Sequence, residues 1–206
     1  MNQPNLAMSG CIRYGAITPI RCDIMGPFKY FPMECRHAII SLYHTLSGTL
    51  NINDEAIDFT DGTGYIEKDS GTSFPKSYLW LQSNDFPKKA CVMISIADIP
   101  FCATSFQGCI CVIWYQGKEF RLATYLGVRV IVCDEKQVIL SQGNLLLIAD
   151  LVPSKSAHPL HAPSKGRMSR TIRESLSCKA RVRFYKNSRL VFDMESENCS
   201  YEAVNI

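Results

Sequence analysis

Hydrophobic and polar positions alternate with a period of two over short runs, and turn residues end each run. This pattern predicts strands rather than helices. Candidate strands are Ser9–Ile20, His37–Leu46, Thr49–Ile52, Ala56–Thr60, Gly64–Lys68, Ser77–Asn84 and Ala90–Asp98. They continue through Gly108–Gln116, Lys118–Tyr125, Val128–Cys133, Gln137–Ser141, Leu145–Asp150, Lys179–Lys186 and Arg189–Met194. Hairpin signals separate them at Ser47-Gly48, Asn53-Asp54, Asp61-Gly62, Gln116-Gly117, Gln142-Gly143 and Asn187-Ser188. Connections this short join antiparallel neighbours, because a parallel crossover needs a dozen or more residues. The expectation is all-β: a single domain over residues 1–206 forming an antiparallel, lipocalin-like β-barrel with a central apolar cavity. Tyr78, Trp80 and Gln82 are then expected to point into that cavity.

Two strands do not fit a barrel with one wet face. In Cys109–Tyr115 and Leu145–Ala149 the residues of both faces are apolar. Val112 and Trp114 cannot point the same way as Cys111, Ile113 and Tyr115, so one set faces outward and needs cover. The expected cover is a homodimer partner or a separate N-terminal-half partner.

One stretch breaks the alternation. Pro153–Gly166 holds three prolines, two lysines and two histidines, and Arg167, Arg170 and Arg173 follow at a spacing of three. Residues 153–177 therefore read as a long loop or short helix insertion. The arginines suit a solvated face, with an anion clamp as the sharper reading.

Composition narrows the class. Of 206 residues 47% are hydrophobic and 20% charged, an ordinary globular balance rather than a disordered one. A net charge of +3, from 22 basic and 19 acidic residues, does not point to nucleic acid. The longest apolar run, Cys109–Tyr115, has seven residues, far below the roughly 18–20 of a membrane span. Arg13, Arg21 and Asp23 interrupt any secretory core near the N-terminus, so a cytoplasmic location is expected. The 10 cysteines include no C-x-x-C pair, so they read as small, reduced apolar side chains rather than a zinc site.

The chemistry concentrates in Gly64–Asn84. Extended, this segment puts Tyr65, Glu67 and Asp69 on one face, then Tyr78, Trp80 and Gln82 on one face of the next strand. Two ionised carboxylates on adjacent same-face positions repel, which raises one of their pKa values and makes a proton donor. An aromatic wall beside such an acid suits a developing carbocation. Spacing alone is equally met by Glu67 paired with Lys68 or Lys76 at a rim and aromatics filling a core. His37 shares a face with Ile39, Ser41 and Tyr43, as a core histidine or as a hydrogen-bond partner for a substrate hydroxyl.

The segment Gly64-Tyr65-Ile66-Glu67-Lys68-Asp69-Ser70-Gly71-Thr72-Ser73-Phe74-Pro75, followed by Trp80-Leu81-Gln82, resembles the signature of the tocopherol cyclase-like family. The likeness extends to Tyr14–Pro19, Met25–Phe28, Met33–His37 and Pro159–Pro163. It implies a lipocalin-type barrel related to carotenoid hydratases, and an acid-catalysed cyclisation of a prenylated phenol or quinol. An alkene is protonated, and a phenol oxygen of the same molecule closes a chroman ring. That makes an isomerase of the intramolecular-lyase type, with an apolar prenylated small molecule as ligand and no metal or organic cofactor. The resemblance assigns Glu67 or Asp69 as acid, Lys68 as charge partner, and Tyr65, Tyr78, Trp80, Gln82 and His37 to substrate binding. Two departures stand out: Ser70 replaces a family Trp, and the chain resembles the C-terminal half of such proteins. The alternative is a non-catalytic lipocalin-type binder of a prenyl or lipid ligand.

Overall fold

The computed structural model describes residues 7–53, 55–101, 104–154 and 156–206. Strands dominate them, in the order β1 (Met8–Tyr14), β2 (Cys35–Ile52), β3 (Glu55–Asp58), β4 (Thr63–Gly71), β5 (Tyr78–Ser83), β6 (Ala90–Phe101) and β7 (Thr104–Tyr115). Then come β8 (Lys118–Ala123), β9 (Arg129–Cys133), β10 (Gln137–Gln142), β11 (Leu145–Val152), β12 (His158–Ser164), β13 (Arg167–Lys186) and β14 (Arg189–Val204). Two 3₁₀ turns, Gly26–Tyr30 and Thr124–Leu126, complete the regular structure. Every strand pairing is antiparallel, as the short connections predict.

The strands form two sheets rather than one. In the smaller, β2 is the spine: β1 pairs with its second half, and β3 and β4 with its second and first halves. The larger runs β8-β7-β6-β5-β14-β13-β11-β10-β9, with β12 also on β13. Its path is open, and no ladder joins its ends among the described residues. The end strand β8 still meets β10, the strand next to the other end. The Gln142 side chain of β10 accepts from Ala123 N (2.9 Å) and donates to Arg121 O (3.0 Å), both on β8. A side-chain splice thus stands where a closed barrel would have backbone bonds.

This curled sheet wraps one core, in which Leu79, Leu81, Ile94, Cys111, Ile113 and Phe184 are buried. The opposite face of β5, β6 and β7 is buried as well, and here the barrel expectation is corrected. Met93 and Val112 pack with Ile24, Met25, Ile39 and Leu42 in a second cluster, which Trp80 and Trp114 join. Cys111, Val112 and Ile113 are each 0% exposed although they alternate in direction. The cover for the outer face is therefore the chain's own smaller sheet, and the argument for a dimer partner there loses its premise. Tyr43 stacks on Trp114 at 5.1 Å and 20°, a direct tie between the sheets.

Two local readings are also corrected. Ser47-Gly48 is no turn: β2 runs straight through it. Gly48 is needed for close approach, since at φ +111° an added Cβ would lie 2.1 Å from the Cys11 carbonyl of β1. Over 158–177 the loop or helix reading is corrected: β12 and β13 form a hairpin, turning on Lys165 and Gly166 at φ 51° and 77°, and only the described residues before His158 are irregular. On strand spacing, Arg170 points away from Arg167 and Arg173, so no aligned clamp exists. Of the predicted Asn53-Asp54 turn, Asp54 lies outside the described residues, as does Cys102. The nine described cysteines are all free thiols.

Candidate active site between the sheets

A cavity of about 240 Å³ lies between the two sheets. Its acidic end is dictated by register. His37 on β2 is the direct cross-strand partner of Asp69 on β4, and Ile39 is the partner of Glu67. His37 therefore faces Asp69 and lies diagonal to Glu67, within reach of both. Its Nδ1 donates to Asp69 Oδ1 at 2.7 Å, and its Nε2 stands 3.0 Å from Glu67 Oε2, off the line of a hydrogen bond. Tyr65 O–H donates to the same Glu67 oxygen at 2.5 Å. A bulge beyond Ile39 then lets Ile39 and Leu42, three residues apart, enter one buried cluster.

The His37 ring is only 8% exposed. Burial pulls its pKa down, but the hydrogen bond to Asp69, the close approach of Glu67 and the charges of both outweigh this and push it up to about 10. The ring, raised in this way, sits as an imidazolium between Glu67 and Asp69. The sequence argument had the two carboxylates repelling each other; the histidine between them removes that repulsion.

The large sheet supplies the facing wall. Trp80 on β5 is the cross-strand partner of Glu202 on β14, whose partner on β13 is Glu174. Tyr78 O–H donates to Glu202 Oε2 at 2.5 Å. Burial, opposed by the Tyr78 bond and reinforced by Glu174, Asp69 and Glu67, pushes the Glu202 carboxyl up to about 7. Burial and the Glu67 charge also raise Glu174, against a lowering effect of His158. Cys35 and Cys109 line the cavity too, but burial pushes both thiols up to about 12 and leaves them protonated.

The rest of the wall is apolar: Met25, Phe28, Met33, Phe74, Ile99 and Phe106 among others. Two arginines hold it in place. Arg121 of β8 donates to the Cys22 and Asp23 carbonyls at 2.7 and 2.9 Å, pinning the segment that carries Met25 and Phe28. Arg170 of β13 donates to the Pro75 and Lys76 carbonyls at 2.6 and 3.0 Å, fixing the turn that presents Phe74. Gly26, at φ +54°, lets that first segment pass under the Tyr125 ring, where an added Cβ would sit 2.5 Å from a ring carbon.

Of the residues singled out in the sequence, Glu67, Asp69, His37, Tyr78 and Trp80 line the cavity, and Tyr65 supports Glu67 from behind. Lys68 does not join them. It is exposed on the other side of β4 and makes no ion pair among the described residues; His37 takes the place assigned to it. Gln82 is buried away from the cavity, bonding Asn84 Oδ1 at 3.3 Å. Ser70 lies on the exposed Lys68 side of β4. Glu202 and Glu174 are the residues sequence reasoning missed. Continuing the Arg189–Met194 alternation would have placed Glu202 inward with Phe192 and Met194; a bulge between Ser196 and Cys199 reverses the parity, turning Tyr201 into the core and Glu202 to the Trp80 side.

Fold and site together define an all-β protein of two packed antiparallel sheets, with an aromatic-lined cavity that ends in carboxyl groups. The sequence pattern of the tocopherol cyclase-like family matches residues 7–204, and the chain belongs to that family. No curated protein sequence is significantly similar to it. Kievitone hydratase from Nectria haematococca has a similar structure, with a TM-score of 0.55 at 12% identity, covering 100% of this chain and 63% of that one. This chain thus spans under two thirds of that protein's length. A candidate AttH protein from Nitrosomonas europaea superposes more loosely, with a TM-score of 0.46 at 9% identity over 84% of this chain and 53% of that one. No helix among the described residues is long and apolar enough to cross a membrane.

Proposed function

We propose that the inter-sheet cavity binds a prenylated phenol or quinol and closes a ring on it by acid catalysis. The supporting observation is one largely apolar, aromatic-walled cavity whose ionisable lining includes Glu67, Asp69, Glu174 and Glu202 together with His37. Protonating a trisubstituted alkene makes a tertiary cation, which needs nearby negative charge, aromatic faces and little water. Glu67 and Asp69 supply the charge, with His37 fixing both carboxylates. Trp80, Tyr78 and Phe106 supply the aromatic faces. The phenol oxygen of the same molecule then captures the cation, and holding it nearby replaces a bimolecular encounter. A volume of about 240 Å³ suits the aromatic head and the first carbons of a prenyl tail.

Capture of the same cation by water would give a tertiary alcohol, the kind of product the name hydratase describes for the Nectria protein. Incubation with a prenylated hydroquinone separates the outcomes by mass spectrometry. A ring-closed product has the mass of the substrate, and a hydrated one is heavier by one water. The expected result is the isomeric chroman, with turnover reduced about 10²-fold or more in Glu67→Gln and Asp69→Asn. Saturable binding without any product would instead identify a carrier.

A further inference from the structure

We propose that Glu202 hands the proton to the alkene, with Tyr78 as its positioning residue, while Glu67 and Asp69 act from the facing sheet as anions. The assignment rests on the reaction just proposed and changes which carboxyl does what.

Glu202 lines the cavity on the large sheet, diagonal to Tyr78 across the β14–β5 ladder. Tyr78 fixes one carboxyl oxygen, and the other has no protein hydrogen bond among the described residues. Glu67 and Asp69 differ: the His37 ring stands between them, donating from Nδ1 to Asp69 and lying 3.0 Å from Glu67 Oε2 through Nε2. One site thus holds carboxyls in two environments: Glu202 is half-buried beside other carboxyls with a single tyrosine donor, while Glu67 and Asp69 are paired with a histidine. Such a pair divides naturally into acid and anion. The groups facing Glu202 are Tyr78 from β5, Glu174 from β13, and Glu67 and Asp69 from β4 with His37 of β2 between them. Arg170 lies near Tyr78 but is bonded to the 74–76 carbonyls, and His158 of β12 lies near Glu174. Three carboxylates around a fourth favour its protonated form, and the position of that carboxyl near 7 agrees with the geometry.

The step balances without a co-reactant. The Glu202 O–H bond breaks as a C–H bond forms on the less substituted alkene carbon. The phenol oxygen then bonds to the tertiary carbon, and its released proton returns to the Glu202 carboxylate.

The test combines a pH–rate profile on a prenylated hydroquinone with ¹³C NMR titration of the glutamate carboxyls in ligand-free protein. Turnover by wild type is expected to fall as pH rises through about 7. Glu202→Gln should lose about 10²–10⁴-fold in turnover while binding a saturated-tail analogue like wild type. Glu202→Asp, which keeps the acid, should retain part of the rate and covers the case of a poorly folding Gln variant. Tyr78→Phe removes a bond that favours the carboxylate, so both the alkaline limb and the carboxyl titration should move to higher pH. A purely structural Tyr78 would move neither. Wild-type turnover in Glu202→Gln, with dependence on Glu67 intact, overturns the donor assignment alone. A ligand-free protein with no glutamate titrating near neutrality also overturns it. Absence of any product from wild type overturns the underlying reaction and the donor role with it.

Discussion

His37 shows how one side chain sets the state of a site. Its proton is shared with Asp69 and lies close to Glu67, so its folded-state pKa rises from 6.5 to about 10. A group raised in this way stabilises the fold fully below its unfolded pKa, and the contribution is lost as pH rises through the folded value. The difference in unfolding free energy between wild type and His37→Asn should therefore be largest below about pH 6.5 and vanish by about pH 10. Denaturant melts across that range check it, and a difference independent of pH would contradict the shared proton. The motif around Glu67 made this end of the cavity legible in the sequence, because residues two apart on a strand share a face. Lys68 was misassigned because a neighbour in sequence points to the opposite face. Glu202 and Glu174 were invisible for another reason: they reach the site only through pairing of β14 with β5 and β13, which no local spacing records.

At the scale of elements, turns and short strands were readable, and long strands were not. Gln116-Gly117 and Asn187-Ser188 turn as their residues predict, with positive φ at each position. Gly48 has the same sequence signature but sits inside an 18-residue strand, where it makes room for the β1 backbone. Gly48→Ala is therefore expected to cost about 1–3 kcal/mol or more and to speed amide exchange along β1. Unchanged stability would mean that β1 is not held as described. Prolines at 153, 159 and 163 suggested a loop, yet β12 tolerates Pro159 and Pro163 because, among the described residues, β13 is its one strand partner. Arg170 of β13 acts at a distance, through the 74–76 carbonyls behind Phe74. Arg170→Ala should weaken ligand binding while leaving the pH limb of turnover in place. A shifted limb would show that Arg170 acts through Tyr78 instead.

For the whole molecule, apolar residues on both faces of Cys109–Tyr115, within β7, carried the decisive information. They required a second layer, and the chain provides one by folding its smaller sheet over the larger. A period of two says that a strand has two faces but not which core each face meets. That is why Tyr78 and Trp80 were expected inside a barrel and lie outside the curled sheet. The layer between the sheets both stabilises the protein and walls the cavity. Leu42→Ala, at a fully buried position of this layer, is expected to cost about 2–5 kcal/mol and to weaken binding together with stability. A stability loss with unchanged binding would separate the layer from the site.

The location of the ligand tests the account most directly. A crystal structure with a saturated-tail prenyl hydroquinone, which cannot be protonated, should show the ring between the sheets beside Glu202 and Glu67, with the tail against Phe28, Phe106 and Trp80. Ligand found instead within the curled sheet, among Leu81, Ile113 and Phe184, would contradict it.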